Sequence, residues 1–224
     1  MEWHNLPIDL FIKILTFLNP TECGFLSQTC KMLNYNYYNN KEFLTTIQPY
    51  RKKYVKIEWT MDNVARKGIL ESLIILHNEG KKCTVYAMNW AARNGHLYVV
   101  KWLHFHRDEG CTVYAMNSAA RNGHLHIVEW LHNNRTEGCT TWAIDLAAEN
   151  GYLHIVKWLH NNRKEGCTTN AMDYAASKGH LHVVEFLHNN RKEGCTTDAM
   201  DWAIDNCHFH LVEWLHNNRK EGCA

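Results

Sequence analysis

Six cysteines return at one interval: Cys83, Cys111, Cys139, Cys167, Cys195 and Cys223 stand 28 residues apart. Histidines keep the same beat. His96, His124, His180 and His208 share one position, with Tyr152 in the remaining copy, and His104, His132, His160, His188 and His216 share another. Thiolate and imidazole bind zinc, and thiols pair as disulfides, so nine Cys and 16 His raise those chemistries first. Spacing argues against both. Stacked helices sit about 8–10 Å apart. A disulfide needs its Cα atoms within about 7 Å, and zinc ligands converge at about 2.0–2.3 Å. Equivalent positions in successive units make a ladder that does not converge. The thiols read instead as small groups packed at a turn, and their odd number fits a reducing compartment. His124 and His126 are two apart and should point to different sides of a helix. Trp130 and Trp158 read as outer-layer packing. No Cys-x-x-Cys, His-Glu-x-x-His or Gly-x-Ser-x-Gly occurs. No catalytic constellation, metal site or cofactor is expected.

The elements that would carry these ladders come from one 28-residue unit, written from Cys83, Cys111, Cys139, Cys167 and Cys195, with a worn copy upstream around Ala65 to Gly68. A fixed period of this kind marks a stacked repeat array. Ala171, Met172, Ala175 and Ala176 make one stripe on a first helix. Thr168 and Thr169 precede it as candidate caps, and Gly179 ends it as a C′ glycine would. Leu181, Val183, Val184, Phe186 and Leu187 make a second, more apolar helix, ending at Asn189-Asn190 or at Gly194. Neither helix buries its stripe alone, so the hairpins must stack. Lys101, Glu129, Lys157 and Glu185 alternate in sign, which suggests pairs across the stack worth ~0–1 kcal/mol each. Glu213 breaks that alternation.

Comparing the copies with one another isolates three drifting positions in the first helix. They are Tyr86, Trp90 and Arg93; Tyr114, Ser118 and Arg121; Trp142, Leu146 and Glu149; Asn170, Tyr174 and Ser177; Asp198, Trp202 and Asp205. Each trio is spaced i, i+4, i+7, on one helical face. Stacking would join the trios into an aromatic-rich surface running from basic to acidic. Tyr86, Trp90, Arg93, Tyr114, Arg121, Trp142, Leu146, Glu149, Asn170, Tyr174, Asp198 and Trp202 are therefore the expected target-binding residues. A second reading has the middle residue of each trio packing between copies.

The wording Ala-Ala-Arg-Asn-Gly-His-Leu (Ala91 to Leu97) followed by Val-Val-x-x-Leu (Val99 to Leu103) resembles ankyrin repeats, from about residue 57 to the end. The resemblance implies an all-α solenoid of helical hairpins that binds proteins. Its usual Thr-Pro-Leu-His opening reads Asn-Ala-Met-Asp here (Asn170 to Asp173), and the unit is shorter than the usual ~33 residues. The β-hairpin finger should therefore shrink to a tight loop, leaving helix faces to bind.

All three prolines, Pro7, Pro20 and Pro49, lie before residue 50, which places a boundary there. The expected division is 1–50 and 51–224, with repeats near 57–82, 83–110, 111–138, 139–166, 167–194 and 195–224. The first domain should hold three short helices. Leu6-Pro7-Ile8-Asp9-Leu10 through Ile14-Leu15 to Leu18, and Leu26-Ser27-Gln28-Thr29-Cys30-Lys31, resemble an F-box. That resemblance implies docking to a Skp-type adaptor of a cullin–RING ubiquitin ligase, through Leu6, Pro7, Leu10, Ile14, Leu15 and Leu18. The alternative is an N-terminal cap on an ankyrin-type binding or scaffold protein. An F-box joined to ankyrin-like repeats is similar to proteins of large DNA viruses.

Net charge is +1. The first 56 residues hold seven Lys/Arg against four acids, and the rest 17 against 19. Arg51-Lys52-Lys53 with Lys56 reads as a solvated joint rather than a nucleic-acid patch, and the near-neutral array does not suit a DNA groove. No apolar run approaches the ~20 residues of a membrane helix, and no secretory leader is visible. An intracellular, cytoplasmic protein is expected. In the last copy Cys207 and Phe209 replace the turn glycine and a leucine, and Ile204 replaces an alanine. That copy is expected to fray or to associate with another chain.

Overall fold

The computed structural model describes residues 60–222; the F-box-like segment, its six expected adaptor-docking residues and Cys223 lie outside them. Twelve helices follow one another among the described residues. They are α1 Met61–Lys67, α2 Leu70–Asn78, α3 Val85–Arg93, α4 Leu97–His106, α5 Val113–Arg121, α6 Leu125–Asn134, α7 Trp142–Glu149, α8 Leu153–Asn162, α9 Asn170–Ser177, α10 Leu181–Asn190, α11 Asp198–Asp205 and α12 Phe209–Asn218. Odd-numbered helices are the first members of six hairpins and even-numbered helices the second. No strand occurs among the described residues, so the expected short connecting loop is what joins the units.

Each first helix from α3 to α11 begins where a threonine hydroxyl accepts a backbone N–H. Thr84 accepts from Tyr86, Thr112 from Tyr114, Thr140 from Trp142, Thr168 from Asn170 and Thr196 from Asp198, at 3.1–3.3 Å. The second threonine of the pair does not share this work. Thr141, Thr169 and Thr197 already lie in the right-handed helical region and make no capping bond. The helix ends in a Schellman turn. At Gly179 (φ +76°) the Gly179 N–H reaches Ala176 O, and His180 N–H reaches Ala175 O at 2.9 Å. Cys207 holds the same turn at φ +61°, with His208 N–H donating to Ala203 O. The second helix ends at Asn190 rather than Gly194. Arg191 turns extended, and Asn190 Nδ2 bonds back to Phe186 O at 2.8 Å.

Alanine determines how the hairpins meet. Ala91, Ala92, Ala119, Ala120, Ala147, Ala148, Ala175, Ala176 and Ala203 are fully buried. With so little side chain between them, consecutive first helices touch along the whole array, whereas second helices touch their equivalents far less. The second row carries Trp102, Trp130, Trp158, Phe186 and Trp214, packed half-buried against the core as the sequence suggested. Small side chains on the first helices let that row pack closer than the row carrying the large rings, and we call the first-helix row the inner surface. Val99, Val100 and Leu103, with their counterparts through Leu215, fill the space between the two rows.

Candidate protein-interaction face

The inner surface carries the drifting trios, and the structure divides each into three rows. The first row is exposed: Tyr86 at 53%, Tyr114 at 41% and Trp142 at 62%, followed by exposed Asn170 and Asp198. The middle row packs between copies. Ser118 is buried at 4%, and Trp90, Leu146, Tyr174 and Trp202 are half-buried. Tyr174 stacks on Trp202 at 5.8 Å, Tyr86 stacks on Trp90 at 5.4 Å, and the Arg66 guanidinium lies over Trp90 at 5.8 Å. The middle residues thus form a floor. The third row is charged: Arg93, Arg121 and Asp205 are exposed, with half-buried Glu149 and Ser177 between them.

Helix position alone hides the residues that hold this face in register. Asn89, Asn117, Asp145 and Asp173 are buried polar groups, one per copy. Each reaches the capping threonine of the next unit. Asp145 Oδ1 accepts the Thr168 N–H at 2.9 Å and Oδ2 accepts the Thr168 hydroxyl at 2.9 Å; Asp173 does the same for Thr196. Asn89 and Asn117 reproduce the clasp on Thr112 and Thr140 by accepting the N–H and donating Nδ2–H to the hydroxyl. Burial holds the Asp145 and Asp173 carboxyls above the usual range, against the lowering pull of the threonine bonds. The clue in the sequence was the restriction of this position to Asp or Asn in every copy.

A second link lies on the loop side. Arg135 and Glu137 form a two-bonded ion pair, repeated by Arg107–Glu109, Arg163–Glu165, Arg191–Glu193 and Arg219–Glu221. The same Arg135 lies 3.3 Å from His104 Nδ1 of the preceding copy, and the Glu137 carboxylate accepts the Cys111 N–H. A Cβ on Gly110 would sit 2.6 Å from the Arg135 guanidinium, so this glycine is the space the cation occupies. The Arg-x-Glu-Gly-Cys wording, repeated five times, was the signal.

Both histidine ladders are structural. His96, His124, Tyr152, His180 and His208 each lay a ring against the turn glycine of the unit before. His77, His104, His132 and His188 meet the next Trp edge-on at 5.2–5.3 Å, and His160 meets Phe186. His124 and His126, expected on different sides, lie 6.0 Å apart; His124 stands just before the helix, outside its regular turn. The expected Lys–Glu ladder across the stack does not form among the described residues. Lys157 lies over the Phe186 ring at 5.6 Å, and Glu185 turns to His182 at 3.6 Å. Adjacent second helices touch one another far less than first helices do. Among the described residues no group of three or more His, Cys, Asp and Glu could hold a metal ion, and no helix is long and apolar enough to cross a membrane.

Burial gives the array a window of pH stability. Burial lowers the pKa of His96, His124 and His180 below 6.5. The unfolded chain then takes up protons first, so their contribution is full above pH 6.5 and is lost as pH falls below it. Burial pushes the Cys83, Cys139, Cys167 and Cys195 thiols up to about 11, and Cys111 to about 12, from 9.0. Here the contribution is full below pH 9 and is lost as pH rises through the folded values, with a slope of up to about 1.4 kcal/mol per pH unit per thiol. Urea midpoints measured across pH should therefore plateau between 6.5 and 9 and fall on both sides. A Cys111→Ser, Cys139→Ser double variant should flatten the alkaline limb; an unchanged limb would contradict the assignment.

Stacked helical hairpins of one repeating unit define a helical-repeat protein. Residues 144–223 match the family model described as ankyrin repeats (3 copies), residues 88–132 that described as ankyrin repeats (many copies), and residues 3–35 the F-box domain. The chain therefore carries an F-box domain followed by ankyrin repeats, both non-catalytic adaptor modules. A search of curated proteins returns no match.

Proposed function

We propose that this chain is a substrate receptor of a cullin–RING ubiquitin ligase. The F-box docks a Skp-type adaptor through Leu6, Pro7, Leu10, Ile14, Leu15 and Leu18, and the inner face of the repeats holds the target. The observation that carries this reading is the joining of an F-box match at 3–35 to a repeat array whose first row leaves Tyr86, Tyr114 and Trp142 exposed. Aromatic side chains of this kind are the usual anchors of protein interfaces. The pairing is similar to that in proteins of large DNA viruses, which would put its work in the host cytoplasm. The test is capture of a Skp-type adaptor by the full chain, with and without Leu10→Asp plus Ile14→Asp. Adaptor is expected with the parent chain and not with the double variant, whose repeats should keep their thermal midpoint. Adaptor in neither capture would leave a plain binding or scaffold protein.

A further inference from the structure

The three rows of the inner surface make one face with a charge order. Tyr86, Tyr114 and Trp142 are exposed along one edge, the buried or half-buried middle row lies between, and Arg93 and Arg121 are exposed along the other edge. First and third rows are seven residues apart on each helix, about 10.5 Å along its axis. A helix with its side chains is about 10–12 Å across, so the face between the two exposed rows has the width of one helix laid across the array. Adjacent first helices are about 8–10 Å apart, and seven residues of a helical ligand advance about 10.5 Å. One apolar residue per heptad would therefore meet one repeat. An extended chain advances about 3.3 Å per residue with alternating faces, so the residues meeting successive repeats, three apart, would point alternately toward and away from the array.

Charge gives the ligand a polarity. Arg93 and Arg121 are exposed, and neither makes an ion pair or side-chain hydrogen bond among the described residues. At the other end of the array Asp205 is exposed at the arginine position and Asp198 at the aromatic one, where the aromatic row has ended. We infer that the target presents an amphipathic helix with an apolar residue about every seventh position, acidic where it crosses α3 and α5 and basic where it crosses α11. This rests on the reading that the repeats hold a protein target, and it specifies that target's chemistry.

The experiment is selection from a displayed library of unbiased peptides on the full chain. It is repeated on an Arg93→Glu, Arg121→Glu variant and on a Tyr114→Ser, Trp142→Ser variant, each first shown to keep its thermal midpoint. The winning peptides are expected to carry heptad-spaced apolar residues with acids at one end and bases at the other. As synthetic peptides they should bind each variant about ten-fold or more weakly, lose affinity when two central residues become proline, and weaken in salt. Winners that need the face but bind equally well with the prolines, or show no charge order, would overturn the helical, polar ligand and leave the target-binding reading standing. Winners indifferent to both variants, or a library that yields none, would overturn both.

Discussion

Asp145→Ala should cost the array about 2–3 kcal/mol, and Asp145→Asn should cost little or nothing at neutral pH. The carboxylate holds both the N–H and the hydroxyl of Thr168, the residue that caps the next first helix. Alanine removes both acceptors at once and leaves the Thr168 N–H without its partner at a half-buried junction. Hydrogen bonds to a charged acceptor are the stronger kind, but burial offsets part of the gain by raising the Asp145 pKa. A raised folded pKa contributes stability below the unfolded value and loses it as pH rises through the folded one, so the ionised group works at a disadvantage at pH 7. Asparagine escapes that disadvantage. Asn117 already makes the same clasp with a neutral amide in the preceding copy. Urea unfolding at pH 7 checks the order: Asn at or above the parent, Ala well below. Because units in an array are stabilised by their neighbours, the alanine variant should also broaden the transition. Equal midpoints for the Ala and Asn variants would show that the clasp adds nothing.

Gly151→Ala should be at least as damaging, at about 2–4 kcal/mol. Two separate costs meet there. The backbone sits at φ +72°, where an L side chain is strained by about 1–2 kcal/mol. The added Cβ would also lie 2.7 Å from Cε1 of His180, the ring that the next hairpin lays over this turn. Overpacking of that kind costs about 1–3 kcal/mol. Gly80 separates the terms. Its φ is +72°, but nothing lies within 4 Å of a Cβ built on it, so Gly80→Ala should lose only the strain. Cys207 shows that the strain alone is bearable: it occupies the equivalent turn at φ +61°, exposed, with the Schellman bonds intact. A double cycle with His180→Ala should recover the clash and leave the strain. If Gly80→Ala and Gly151→Ala lose the same amount, the ring contact carries no weight.

What the chain alone determined is what periodicity within one helix can reveal. The 28-residue beat, the alanine stripe of Ala171 to Ala176, the glycine turn and the wide apolar face of the second helix all follow from residues close together in the chain and from their repetition. The exposed aromatics Tyr86, Tyr114 and Trp142 and the charge order from Arg93 to Asp205 were legible too, because comparing copies shows which positions drift. The contacts between units were not legible. Asp145 finds Thr168 across 23 residues and Arg135 finds His104 across 31, and neither separation is the 28 of the repeat. The offset between hairpins decides such pairings, and it is set by how closely the alanine faces approach. The same offset places Ser118 inside and stacks Tyr174 on Trp202, which chooses between the two readings the sequence left open for the middle row. Only stacking in three dimensions supplies that distance.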